Sequence, residues 1–210
     1  LAKIQKKLSA KDINLQDIIN DGFLRFDTAI FNKKINEKLT FSKFKTQDIL
    51  FSKNGYALGS SYLEFNDNKI YLASGNGIFA FSEFNGKIEK LKIINSNIKS
   101  IVTYDKFYET SQYGIKDILI YEGNLYVSFF NEKFKDCYNL SILKSKLSTE
   151  NLNFSLFYEP KKCIKKKNKY GEFWAHQGAG GRMVPYKNNQ ILFTTGDFRY
   201  RTLAQNKNSD

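Results

Sequence analysis

Gly59-Ser60-Ser61-Tyr62-Leu63-Glu64-Phe65-Asn66-Asp67-Asn68-Lys69-Ile70-Tyr71-Leu72-Ala73-Ser74 is the stretch that decides the fold. A glycine opens a short alternating strand, a polar triplet turns the chain, and a second strand ends in Ser. Asn, Asp and Gly tolerate the positive φ that a tight hairpin turn demands, so the phrase predicts a β-hairpin. The phrase comes back about sixty residues later as Gly114-Ile115-Lys116-Asp117-Ile118-Leu119-Ile120, turning through Tyr121-Glu122-Gly123-Asn124 into Leu125-Tyr126-Val127-Ser128. It returns once more as Gly181-Arg182-Met183-Val184-Pro185-Tyr186, turning through Lys187-Asn188-Asn189 into Gln190-Ile191-Leu192-Phe193-Thr194-Thr195.

Further strands are expected after the first two copies, at residues 77–82 with 88–93, and at residues 139–147 with 154–158. Four strands per repeat at this long period is the pattern of a propeller blade, which cannot bury both faces alone and needs neighbours. A β-sandwich would space its strands more evenly and closely. The expectation is an all-β chain holding about three blades over residues 31–210, incomplete at the C-terminus, preceded by a lead-in over residues 1–30. Within that lead-in Leu15, Ile18 and Ile19 share one face of a short helix.

Composition agrees. Thirteen Tyr and nineteen Phe against two Pro and one Trp favour pleated, half-buried strands. The net charge of +12 comes from lysines scattered through every segment, so it reads as compositional bias rather than a nucleic-acid face. The densest basic run, Lys161-Lys162-Cys163-Ile164-Lys165-Lys166-Lys167, reads as a solvated loop. No stretch approaches the roughly 18 apolar residues of a membrane span, and no signal peptide is visible. Cys137 and Cys163 sit in polar segments at the edges of strand-like runs, and their spacing matches no zinc pattern. They are either a disulfide, which implies an oxidising compartment, or two unrelated thiols.

One histidine occurs, in Phe173-Trp174-Ala175-His176-Gln177-Gly178-Ala179-Gly180-Gly181-Arg182-Met183. It lies on a glycine-rich connection feeding the first strand of a blade, and in a propeller that strand lines the central channel. A neutral imidazole there can take a proton near neutral pH. The glycines imply a backbone that turns sharply or approaches another group closely, or else a flexible loop. They do not form a phosphate-binding fingerprint, because no Lys-Ser/Thr pair follows and the next element is a strand.

The run His176-Gln177, Gly181-Arg182-Met183-Val184, Ile191-Leu192-Phe193-Thr194-Thr195-Gly196-Asp197 and Ala204-Gln205-Asn206 resembles the glucose/sorbosone dehydrogenase family, soluble calcium-dependent pyrroloquinoline quinone (PQQ) enzymes on six-bladed propellers. The resemblance is firm over residues 176–210 and looser back to Gln112. It implies that His176 is the general base that deprotonates a sugar's anomeric hydroxyl, with Gln112 and Gln177 on the substrate side. It also implies that Arg199 or Arg201 polarises the quinone carbonyl, and register does not choose between them. PQQ and calcium follow from the same resemblance, with the calcium ligands expected beyond residue 210. So do a sugar substrate, an electron acceptor and a periplasmic or secreted location.

Three positions depart from the family pattern. The interval from His176 to Arg182 is about two residues longer, Ala175 replaces an aspartate that orients the histidine, and Gly114-Ile115-Lys116-Asp117 replaces a more apolar segment. The alternative reading is a non-catalytic propeller that binds a protein or glycan. A polyanion binder rests on charge alone.

Overall fold

The computed structural model describes residues 61–75, 77–85, 91–102, 114–173 and 178–202. The lead-in helix and the residues Gln112, Ala175, His176 and Gln177 lie outside the described residues. The rest is almost entirely β, as the repeated phrase predicts. Strands β1 (Ser61–Asn66), β2 (Lys69–Ser74), β3 (Phe79–Glu83) and β4 (Lys92–Ser96) form an antiparallel meander, and one helical turn, α1 (Ile98–Ile101), follows it. Strands β5 (Gly114–Tyr121), β6 (Asn124–Phe134) and β7 (Cys137–Lys146) continue through the short β8 (Asn151–Leu152) to β9 (Ser155–Tyr158). The second sheet runs β5-β6-β7-β9, while β8 adds in parallel to the outer edge of β4. A third hairpin pairs β10 (Gly180–Tyr186) with β11 (Gln190–Thr195). Two successive four-stranded meanders and the opening hairpin of a third are consecutive propeller blades. Among the described residues no helix is long and apolar enough to cross a membrane.

The turns of the three phrases form as their residue types require. Asp67 and Asn68 (φ 46 and 58), Glu122 and Gly123 (48 and 66), and Asn188 and Asn189 (56 and 59) all adopt left-handed backbone. Two adjacent positive-φ residues match the right-handed twist of the flanking strands, which keeps each hairpin closed.

The middle blade explains the unbroken apolar run of β6. Leu125, Val127 and Phe129 point into a core shared with the first blade, beside Tyr71, Phe79, Ile94 and Phe154. Tyr126 points the other way, against Met183, Leu119 and Ile142, and Phe130 packs with Tyr138, Leu140, Phe198 and Tyr200. A sheet covered on both faces buries both alternating sets, so its strands lose the apolar-polar rhythm.

Two expectations are corrected. The strand expected at residues 88–93 is β4, which starts at Lys92 and runs on to Ser96. Cys137, expected at a polar edge, is 1% exposed and belongs to the core. It opens β7 directly after the charged hairpin tip, and the chain around Cys163 covers it from outside, bonded to it with the two Cα atoms 4.9 Å apart.

Candidate functional site

The inner strands of successive blades, β1, β5 and β10, lie side by side, and two of them carry a bulge at the same level. In β5 the register slips between Ile115 and Asp117, leaving Lys116 as the extra residue. In β10 it slips between Gly180 and Met183, and the Thr194 hydroxyl takes over the freed backbone groups of Arg182. Thr194 Oγ1 accepts from the Arg182 N–H at 3.1 Å and donates to its carbonyl at 3.3 Å. Bulges re-aim side chains and end pairing, and here each one presents polar groups to the neighbouring blade.

The two bulges are fitted together. Gly181 (φ 111) sits against Lys116 so closely that a Cβ on Gly181 would lie 2.5 Å from the Lys116 Cβ. The Ser128 hydroxyl donates to the Gly181 carbonyl at 2.6 Å. One oxygen of Asp117 accepts the Met183 N–H at 2.7 Å, and the other lies 3.6 Å from Arg182 Nη1. Positions 116 and 117 thus meet 181 to 183 in ascending order, so β5 and β10 run in the same direction.

Electrostatics extend the cluster to the first blade. Asp117 has a side chain only 5% exposed, and burial pushes its carboxyl up. The Met183 N–H, the Arg182 charge and the Ile118 N–H pull it back down without cancelling the rise. Glu64 on β1 is also raised, first by burial and then by repulsion from Asp117, with Arg182 opposing. The Lys116 ammonium is half-buried and desolvation lowers it to about 8. Three blades therefore place two carboxylates, a softened ammonium and an exposed guanidinium around the inner strands. Such a group can orient hydroxyls or an anion, and Lys116 can exchange a proton near neutral pH.

The glycines of the His176 segment have defined roles. The end of β11 folds back on the segment before β10, with the Gly196 N–H donating to the Ala179 carbonyl at 2.8 Å and the Phe198 N–H to the Gly178 carbonyl at 3.1 Å. A Cβ on Gly196 would run into the Gly178 carbonyl. In the turn that follows, Phe198 and Tyr200 are buried while Arg199 and Arg201 are exposed. Asp197 Oδ1 accepts the Arg199 N–H at 2.9 Å and holds the left-handed backbone there (φ 63). Arg201 faces Glu172. Partial desolvation would raise the Glu172 carboxyl, but hydrogen bonds from Asn168 and Thr202, with the Arg201 charge, bring it below its usual range.

Gln112 and Gln177 cannot be placed among these groups, since both lie outside the described residues with His176. Along the chain, Gln112 stands two positions before β5 begins and His176 four positions before β10. No family model matches the chain, and no curated protein matches it. Among solved structures, one named "glucose dehydrogenase" is 14% identical with a TM-score of 0.49, over 69% of this chain and 42% of that one. Another, "Crystal structure of glucose dehydrogenase", is 12% identical with a TM-score of 0.46, over 68% and 40%. This chain spans about two fifths of the length of either structure.

Sequence reasoning passed over Glu64, Asp117 and Arg182 as site groups. The signal was present: Lys116-Asp117 interrupts an otherwise apolar strand phrase, and buried charge in such a place needs a reason. The Lys116 shift has a measurable consequence. Its folded-state value of about 8 lies below the ordinary 10.5, so between those values the unfolded chain binds more protons, and stability rises as pH rises. The expected gain is on the order of 1–3 kcal/mol, discounted for partial solvent access. Urea midpoints across that pH range should show the rise in the parent and lose it in Lys116→Met. A parallel rise in both proteins would assign it to another group.

Proposed function

We propose that this chain is part of a quinoprotein sugar dehydrogenase, with His176 as the general base. One observation supports the reading best: β5 and β10 lie side by side and start at the same end, locked by Gly181 against Lys116 and by Asp117 on the Met183 N–H. The segments that carry Gln112 and His176 feed those two starts. In this reading the substrate glutamine and the base work at that one end of the inner strands.

In this reading the His176 imidazole takes the proton of the anomeric hydroxyl, and Gln112 and Gln177 hold the sugar's other hydroxyls. PQQ, when bound, supplies the hydride acceptor. Of the two arginines, Arg199 suits the quinone oxygen better, because it stands on a backbone fixed by Asp197. Among the described residues no three His, Cys, Asp or Glu side chains gather into a candidate metal site. The Cys137–Cys163 bond suits the periplasm or the cell exterior.

The test adds PQQ and calcium to the full-length protein and follows dye reduction with aldoses, together with PQQ binding by absorbance. His176→Ala is expected to lower turnover by about 10²–10⁴ while PQQ stays bound. Arg199→Ala should weaken PQQ binding more than Arg201→Ala. Near-normal turnover in His176→Ala would remove the imidazole from the mechanism, and failure to bind PQQ would turn the reading towards a non-catalytic propeller.

A further inference from the structure

The disulfide does more than close a loop, because it joins two lysine-rich segments into one surface. The β6–β7 hairpin turns through Lys135 and Asp136, and its tip carries Phe134 between Lys133 and Lys135. Cys137, the next residue after that turn, is bonded to Cys163 in the basic loop. Backbone bonds of 3.0 and 2.8 Å between Tyr138 and Ile164 continue the join, and the Tyr200 hydroxyl, donating to the Lys165 carbonyl, fixes the loop from the other side. Residues 133–136 and 159–173 together hold eight lysines, all exposed, against three carboxylates. Of those three, Glu159 is paired with Lys133, and Glu172 accepts from Asn168 at 2.6 Å and Thr202 at 2.8 Å. The surface is therefore strongly cationic.

It is also apolar at defined points. Phe134 is 61% exposed at the hairpin tip and Phe173 is 66% exposed. An exposed phenyl ring has no polar edge to satisfy in water, and flanking lysines can lay their stems along an apolar surface while their ammonium groups reach outward.

We infer that this disulfide-joined surface docks on the anionic face of a phospholipid bilayer, with Phe134 entering the headgroup–acyl boundary and the lysines pairing with acidic headgroups. Two observations favour lipid over nucleic acid or an acidic glycan. Base or sugar stacking uses open aromatic faces, and one face of each of two rings here already carries a lysine, with Lys167 5.5 Å from the Phe173 ring centre and Lys169 5.0 Å from that of Tyr170. Among the described residues of this surface, the ring that stands at a tip is Phe134, and a single apolar side chain ringed by lysines suits shallow insertion.

The chain is tested by co-sedimentation with phosphatidylcholine vesicles, with and without about one third phosphatidylserine. Binding is expected only with the acidic lipid and should fall as salt rises. Phe134→Ser should weaken it about tenfold through lost apolar burial, and the pair Lys161→Glu and Lys166→Glu at least tenfold. Both variants alter exposed side chains, so their melting should match the parent, which excludes misfolding as the cause. Absence of binding to acidic vesicles overturns the inference. So does binding unchanged by Phe134→Ser, or tighter binding to heparin or a single-stranded oligonucleotide that is indifferent to Phe134.

Discussion

Gly181→Ala is expected to destabilise the protein by about 3–5 kcal/mol, in a urea melt whose slope is otherwise unchanged. Two costs combine there. The backbone has φ of 111, outside what an L side chain tolerates, and the new methyl would lie 2.5 Å from the Lys116 Cβ on the neighbouring inner strand. Relief by backbone movement would pull the Gly181 carbonyl from the Ser128 hydroxyl and the Met183 N–H from Asp117, stranding buried polar groups on both blades. The components can be separated. Gly171 has φ of 81, and a methyl added there would meet only the Lys167 Cε, at 3.7 Å, so Gly171→Ala should cost about 1 kcal/mol from backbone strain alone. Lys116→Gly in the Gly181→Ala background removes the opposing Cβ and should recover part of the loss. A purely additive double variant would mean that the two strands do not press on one another.

The same contact shows where sequence reading reaches and where it stops. Hairpin turns were legible because their demand is local: Asp67, Asn68, Gly123, Asn188 and Asn189 are residue types that adopt positive φ and do so, and Glu122 is carried into it by the turn that Gly123 completes. The choice of face was less legible. In β1 the apolar Leu63 and Phe65 are 57% and 54% exposed, while Glu64 turns towards the second blade. Period two marks that a strand has two faces, but the neighbouring blade decides which of them is covered. Bulges are harder still, since an extra residue such as Lys116 is defined only by the partner strand's register. Gly181 was legible as a close approach without its partner, because the partner lies sixty-five positions earlier in the chain. The candidate site follows the same rule. His176 stood out by its local glycine-rich setting, whereas the group of Glu64, Lys116, Asp117 and Arg182 exists only through contact between blades.

Replacing both Cys137 and Cys163 with Ser is expected to cost about 3 kcal/mol, because the bond closes a loop of 26 residues whose freedom returns to the unfolded chain. The folded state should lose as well. Cys137 is 1% exposed, and a serine hydroxyl there would need a partner in a position built for sulfur. The damage should be uneven. Tyr138 and Ile164 exchange two backbone bonds directly beside the bridge, so their amides should exchange with solvent much faster. Amides of β2 and β3 in the first blade, buried around Ala73 and Ala80, should change only as far as global stability falls. Uniform acceleration across all blades would mean that the bond acts through the unfolded state alone. A selective effect at residues 138 and 164 would show that it also holds the basic loop on the hairpin, and through Tyr200 and Glu172 the turn that carries Arg199 and Arg201.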